Sequence, residues 1–228
     1  MSIDKETLRA RLDVLADEQY RAFSEKIVHT SGKPLIGVRT PELKKIAKEY
    51  AADYKDIFEL PADTYEEMLL KGLTLGMAKA PLAEKLPYIL GYAEMIDNWA
   101  LCDLFCSALK MKKDEYGALS EFIDEIILSP DEYVSRTGIV LMFSNFKAES
   151  DARRAFAIYD KITAGRYYVD MAVAWGISVY CVYHPQLTVQ YLRNSPISAD
   201  IKKKAAQKIR DSRRVSQEVK DKVTAVAK

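Results

Sequence analysis

Apolar residues recur along the chain every three or four positions, which is the period of an α-helix with one buried face. Leu43, Ile46 and Ala47 form one such stripe, and another runs through residues 68–77. The same spacing predicts further helices over residues 5–15, 18–28, 84–95, 97–109, 113–128, 132–145, 151–162, 167–183, 186–193 and 216–226. The sequence therefore predicts an all-α fold.

Short polar sequences before several of these segments are typical of helix starts. Ser, Thr and Asp side chains there accept hydrogen bonds from the first free backbone N–H groups. The predicted N-cap residues are Thr40, Asp63, Ser129 and either Ser195 or Ser198. Ser129 is favoured because a proline follows it and a glutamate stands three residues further on. The helix after Ser195 or Ser198 is basic and is predicted to end near Arg214.

Residues 169–183 fit two patterns. Val173, Trp175, Ile177 and Val179 alternate as in a strand, and the segment is rich in β-branched and aromatic residues. A strand of this length would be unusual, however, and Gly176 alone is a poor hairpin turn. We therefore predict a helix here.

A weak repeat runs through the helices. Trp99 and Arg136 are 37 residues apart, and Arg136 and Trp175 are 39 apart, each on a helix that follows another helix. Helix pairs of this length are typical of HEAT and armadillo repeats, which stack into a curved solenoid with a concave groove. We predict a single HEAT-like domain over residues 1–228.

Composition places this domain among globular proteins. Hydrophobic residues make up 49% of the chain and charged residues 29%, and no apolar run is long enough to cross a bilayer. The charged N-terminus does not resemble a signal peptide, so we expect a cytoplasmic location. Cys102, Cys106 and Cys181 have no disulfide spacing, and neither histidine lies near a cysteine pair. We expect no metal and no organic cofactor.

Charge is unevenly distributed along the chain. Residues 193–228 contain 11 Lys/Arg and 4 Asp/Glu, a net charge of +7, although the whole chain carries only +1. A basic C-terminal face would suit an acidic partner, although a solvated terminal helix would carry the same residues.

Three features stand out from the helical background. Trp99 and Asp103 are one turn apart on one predicted helix face. Arg136 stands beside an apolar run, and Trp175 is the second tryptophan of the chain. Singly, such residues are usually part of a core or an ion pair. Together, at repeat spacing, they describe a site for a sugar or a cation.

The chain resembles the AlkD-like DNA alkylation repair proteins, which are HEAT-like solenoids that excise positively charged alkylated purines. The resemblance covers most of the chain. It rests on residues 37–48 (GVRTPELKKIAK), on the Trp99–Asp103 pair, on Arg136 before an aliphatic run and on Trp175.

This resemblance implies an alkylpurine DNA glycosylase that acts on duplex DNA with alkylated bases. Asp103, Trp99 and Trp175 would then be the catalytic residues. We predict that Arg136, Lys208, Arg210, Arg213 and Arg214 bind DNA, and that the protein is a monomer. Two alternatives stay open at this point: a non-catalytic solenoid that recognises distorted or branched DNA, and a protein-binding scaffold.

Overall fold

The computed structural model describes residues 4–30 and 32–226, and within these ranges the chain forms α-helices with two short 3-10 segments. The fourteen helices of the described residues are α1 (Lys5–Val14), α2 (Glu18–Ser24), α3 (Thr40–Glu49), α4 (Tyr54–Glu59), α5 (Tyr65–Met77), α6 (Leu82–Met95), α7 (Trp99–Ala108), α8 (Tyr116–Ile126), α9 (Glu132–Asn145), α10 (Glu149–Tyr159), α11 (Tyr167–Tyr183), α12 (Pro185–Asn194), α13 (Ala199–Asp211) and α14 (Gln217–Val226). One isolated β-bridge joins Ala16 and Val38. The prediction of an all-α fold is confirmed.

Several helix starts lie one or two residues from the predicted positions. Thr64, not Asp63, caps α5, in a reciprocal capping box with Glu67. Asp131, not Ser129, caps α9, and its carboxylate accepts hydrogen bonds from two backbone N–H groups. A carboxylate next to the first helical residue is as good a cap as a serine two residues earlier, and the sequence does not rank the two.

Of the other two predicted N-cap residues, one is wrong and one is confirmed. Thr40 is the first helical residue of α3 and Arg39 holds the N-cap position without a side-chain bond, so the prediction of Thr40 as cap is wrong. Ser198 caps α13 as predicted, with its side chain accepting from Ile201 N–H, but this helix ends at Asp211 rather than near Arg214. Helix α11 spans Tyr167–Tyr183, which settles residues 169–183 in favour of the helix.

The chain divides into two compact units, Met1–Phe122 and Ile123–Lys228. In the first unit alternate helices pack side by side, α3 against α5 and α5 against α7. Helix α5 is the centre of this unit, since every residue from Tyr65 to Gly76 is buried. A Cβ on Gly76 would lie 2.9 Å from Ala108 Cβ, so the glycine permits α5 and α7 to approach closely.

The second unit repeats this packing. Helix α11 lies between α9 and α13, and α12 also packs against it. At Gly138 of α9 an added Cβ would lie 2.9 Å from Ile127 Cα, so this helix runs directly against the backbone that precedes it. Cys181 of α11 is buried in this unit, as Cys102 and Cys106 are in the first. The prediction that residues 1–228 form a single domain stays a prediction.

A buried carboxylate holds the segment before α3 to α5. Glu66 is 1% exposed, and its Oε1 accepts hydrogen bonds from Gly37 N–H at 2.7 Å and Val38 N–H at 3.2 Å. Its Oε2 accepts from Ile36 N–H at 2.9 Å. Gly37 has a φ of +96°, a conformation that favours glycine, and a Cβ there would collide with the Asp17 carbonyl oxygen. Three successive N–H groups thus enclose one anion.

Asp170, in the first turn of α11, is a second buried carboxylate, but its hydrogen bonding is incomplete. It is 5% exposed, and its Oδ2 accepts from Gly165 N–H at 3.1 Å. Its Oδ1 has no hydrogen-bond partner among the residues described. Burial raises the pKa of this carboxyl above its ordinary value, and the hydrogen bond from Gly165 opposes that rise. The folded state therefore binds the proton more tightly than the unfolded chain, and stability falls as pH rises through the folded-state pKa.

We expect Asp170→Asn to stabilise the protein at neutral pH, with a rise in Tm of about 2–4 °C, the shift that about 1 kcal/mol produces in a protein of this size. The difference should shrink in acid, where the wild-type carboxyl is protonated too. Thermal denaturation at a series of pH values measures both effects. Asp56→Asn, at an exposed carboxylate of α4, is the matched control. An Asp170→Asn variant that melts below wild type at neutral pH would contradict this expectation.

No helix among the residues described has the length and apolar character that crossing a membrane requires.

Candidate functional site

The predicted pair Trp99 and Asp103 lies on α7 of the first unit. Asn98 is buried and caps this helix, because its Oδ1 accepts from Ala100 N–H and Leu101 N–H, both at 3.1 Å. Trp99 is therefore the first helical residue. Its Nε1–H donates to the carbonyl oxygen of Ile27 at 3.3 Å, which fixes the indole against the turn that follows α2.

Asp103 follows Trp99 by four residues, so both side chains project from one side of α7. Both are half-buried, whereas Ala100, Leu101 and Cys102 between them are buried in the unit. The helix thus presents an aromatic ring and a carboxylate one turn apart, as the sequence predicts. Close packing of α7 against α5 holds the pair on a rigid helix.

Arg136 occupies a more enclosed position than a phosphate ligand usually does. It is 4% exposed on α9, and its Nη1 donates to the Tyr168 carbonyl oxygen at 2.6 Å. Nearby, Glu132 accepts from Tyr168 N–H at 2.7 Å. These two contacts join the start of α11 to α9. The predicted contact of Arg136 with a DNA phosphate stays a prediction.

Trp175 lines a cleft of about 380 Å³ in the second unit. Its ring packs against Phe143 of α9, with centroids 4.7 Å apart and planes at 60°. The residues that line this cleft come from α11, from α13 and from the segment after α13: Trp175, Ser178, Val179, Val182, Lys208, Asp211, Ser212 and Arg214. The structure thus brings three predicted site residues, Trp175, Lys208 and Arg214, to one surface.

The electrostatics of this cleft come from two cations and one carboxylate. Asp211 accepts a hydrogen bond from Gln207 at 2.8 Å. Arg214 also contacts Tyr183, with its guanidinium carbon 5.3 Å from the ring centroid. Arg214, and after it Lys147, lower the pKa of the Tyr183 hydroxyl. A cleft with an aromatic wall and net positive charge can hold a nucleotide or its phosphate.

The remaining predicted DNA-binding residues lie outside the lining of this cleft. Arg210 is exposed on α13 and donates to Gln207. It follows Lys208 by two residues, which turns it to nearly the opposite side of the helix. Arg213 is exposed in the segment between α13 and α14. Their roles in DNA binding stay predictions.

Sequence reasoning missed Tyr183 and Lys147. Lys147 Nζ lies 5.7 Å from the centroid of the Tyr183 ring, the ring that also contacts Arg214. One signal was present in the sequence, because Tyr183 follows Trp175 by eight residues and so projects from a similar side of α11. No signal pointed to Lys147, which comes after the end of α9.

No group of three or more His, Cys, Asp or Glu side chains among the described residues is arranged to hold a metal ion.

A search of individually curated proteins found no match to the chain. Residues 8–214, by contrast, match the model of a family described as DNA alkylation repair enzyme. This match covers nearly the whole chain, including both units and the candidate residues Trp99, Asp103, Arg136 and Trp175. The chain belongs to the DNA alkylation repair enzyme family.

Proposed function

We propose that this protein is a DNA glycosylase that excises cationic N3- and N7-alkylated purines from duplex DNA. The observation that carries the proposal is the pair Trp99 and Asp103, one turn apart on α7, in a chain of the DNA alkylation repair family. The enzyme would act as a monomer, without a metal or an organic cofactor.

The chemistry suits these side chains. Alkylation gives the purine a positive charge, and when its N-glycosidic bond breaks the bonding electrons neutralise that charge. Positive charge then develops on the deoxyribose, where the Asp103 carboxylate would stabilise it. The same carboxylate would orient the attacking water and take its proton, which leaves an abasic site. The Trp99 ring would offer its negative face to the sugar and the cationic base, and a part for Trp175 in the same reaction stays a prediction.

We propose that the helices within each unit stack as HEAT-like repeats and that DNA binds to these stacks. The side-by-side packing of α3, α5 and α7 in one unit, and of α9, α11 and α13 in the other, supports this arrangement. Trp99 belongs to α7 in the series of the first unit, and Arg136 and Trp175 belong to α9 and α11 in the series of the second.

The cleft at Trp175 would hold the DNA backbone. Lys208 and Arg214 line it and would contact phosphates, which bind cations through charge-assisted hydrogen bonds. Many base-excision enzymes flip the target base into a pocket. The resemblance to AlkD-like proteins implies instead that the groove grips the backbone and needs no base pocket.

A non-catalytic DNA-binding role is the second candidate. The burial of Arg136 favours it, since a guanidinium held by the Tyr168 carbonyl is less accessible to a phosphate. Ser178 and Asp211 in the cleft favour it as well, because neither adds positive charge.

The deciding experiment is incubation with duplex DNA that carries a single N7-methylguanine, followed by detection of abasic sites. We expect release of N7-methylguanine and N3-methyladenine but not of uracil, whose glycosidic bond is not activated by charge. Tight binding of this DNA without any release would establish the second candidate in place of the first.

The salt dependence of DNA binding tests the cleft separately from the chemistry. Each phosphate that is neutralised contributes about 0.9 to the slope of log affinity against log salt concentration for duplex DNA. We expect Lys208→Ala and Arg214→Ala each to reduce that slope by about this amount, and to weaken binding to all sequences alike. Titrations by fluorescence anisotropy at several salt concentrations measure the slope.

Arg210→Ala is the matched comparison, because it removes a cation from the same helix but outside the lining of the cleft. It should change the slope less than Lys208→Ala does. Equal slopes for wild type and the Lys208→Ala, Arg214→Ala double variant would mean that these two side chains do not contact the DNA phosphates.

A further inference from the structure

A line of apolar and aromatic side chains runs along α11 beyond the cleft at Trp175, and it turns around the helix by about 40° at each step of four residues. Its members are spaced four residues apart and none is buried: Tyr167, Met171, Trp175, Val179 and Tyr183. Tyr167 is 58% exposed and Tyr183 is 41% exposed. We name these five residues the α11 stripe. It carries no charged side chain, in contrast to the basic helix beside it.

Lysine and arginine side chains from other parts of the second unit lie beside the α11 stripe along its length. Lys204 Nζ lies 5.4 Å from the centroid of the Tyr167 ring, and Lys208 lines the cleft with Trp175. At the far end Arg214 and Lys147 both contact the Tyr183 ring, at 5.3 Å and 5.7 Å. Each of the three aromatic residues therefore has at least one cation beside it.

We propose that the α11 stripe binds a single strand of DNA, with unpaired bases stacked on Tyr167 and Trp175 and phosphates held by the accompanying cations. This inference rests on the proposed function and extends its substrate class to duplex DNA that also carries a locally unpaired stretch. Proteins that bind single strands combine aromatic platforms with cations in just this way.

The chemistry of the surface favours a single strand over an intact duplex. In a duplex the base faces are covered by neighbouring pairs, so exposed aromatic rings gain little from them. The cations are also partly compensated, because Asp200 pairs with Lys204 and Asp211 lines the cleft. Stacking, rather than net charge alone, must then supply much of the affinity.

The dimensions of the stripe fit a short stretch of nucleic acid. Tyr167 and Tyr183 are separated by sixteen residues of helix, a distance of about 24 Å. One strand of B-form DNA advances about 3.4 Å per nucleotide, so this distance corresponds to about seven nucleotides, and to fewer when the strand is extended.

Fluorescence anisotropy with labelled oligothymidine of about 12 nucleotides, and with an unmodified duplex of the same length, tests the inference. We expect Tyr167→Ala to weaken binding of the single strand by at least about fivefold, the lower end of what loss of one stacking side chain produces. Duplex affinity should change much less. Tyr167→Trp should bind the single strand about as well as wild type, because it replaces one stacking ring with another.

Tyr116→Ala, at an exposed tyrosine that begins α8, is the control and should bind both probes as wild type does. Circular dichroism checks that each variant keeps its helix content. Equal single-strand affinity of Tyr167→Ala and wild type would overturn the inference, and so would equal losses for strand and duplex. Excision of N7-methylguanine by the same variants separates the two proposals. If the protein excises N7-methylguanine but does not bind single-stranded DNA, only the inference about the α11 stripe is contradicted. If it binds single-stranded DNA but does not excise N7-methylguanine, only the proposed glycosylase activity is contradicted.

Discussion

Replacement of Asp103 by asparagine should slow excision of N7-methylguanine by about 100- to 1,000-fold, the usual cost of losing one well-placed electrostatic stabiliser. Asparagine keeps the size of the side chain but removes the negative charge that would stabilise the developing cation on the sugar. DNA affinity and helix content should stay near wild-type values, because the backbone contacts are made elsewhere. Single-turnover excision kinetics measure the chemical step directly.

Asp114→Asn is a suitable control for this measurement, since Asp114 is an exposed carboxylate outside the candidate site. It should excise the lesion at the wild-type rate. Similar single-turnover rates for wild type and Asp103→Asn would remove Asp103 from the mechanism, even if the protein proves to be a glycosylase.

Loss of the Glu66 carboxylate should produce the largest change in stability. In Glu66→Ala the N–H groups of Ile36, Gly37 and Val38 lose their acceptor, and each unsatisfied buried donor costs about 1–3 kcal/mol. We expect a total loss of about 3 kcal/mol or more, which lowers Tm by about 6–12 °C in a protein of this size. Thermal denaturation followed by circular dichroism measures the change.

Two variants place that result in context. Glu66→Gln keeps one acceptor oxygen and should be destabilised less than Glu66→Ala. Glu121→Ala removes an exposed glutamate from α8 and should shift stability by no more than about 0.5 kcal/mol. A Glu66→Ala protein with the same Tm as wild type would mean that water replaces the carboxylate at these three N–H donors.

Helical periodicity was sufficient to predict most of the fold. Helices α9 and α11 have the predicted bounds, because in each the apolar pattern starts and stops abruptly. Helix α4 was not predicted, since its six residues are too few to show a period. The errors at Asp63 and Ser129 arise where two neighbouring side chains can both cap a helix and only the backbone conformation decides between them.

The candidate site was predictable only where its residues share a helix. The four-residue spacing of Trp99 and Asp103 fixes their common side once α7 is recognised. By contrast, the sequence cannot distinguish Lys208 from Arg210, since either could face α11 until the packing of Ile209 and Ala205 sets the rotation of α13. The burial of Arg136 depends on the Tyr168 carbonyl, 32 residues away, and no local pattern signals such a contact.

The buried position of Cys181 has a consequence for the chemical environment in which a DNA alkylation repair protein works. Alkylating agents react with thiolates, the nucleophilic form of cysteine, as well as with purines. Burial raises the pKa of the Cys181 thiol to about 11, so at neutral pH the thiol form strongly predominates over the thiolate. This cysteine is therefore a poor target for the reagents that create the family's substrates, and it should stay unmodified at doses that alkylate exposed thiols.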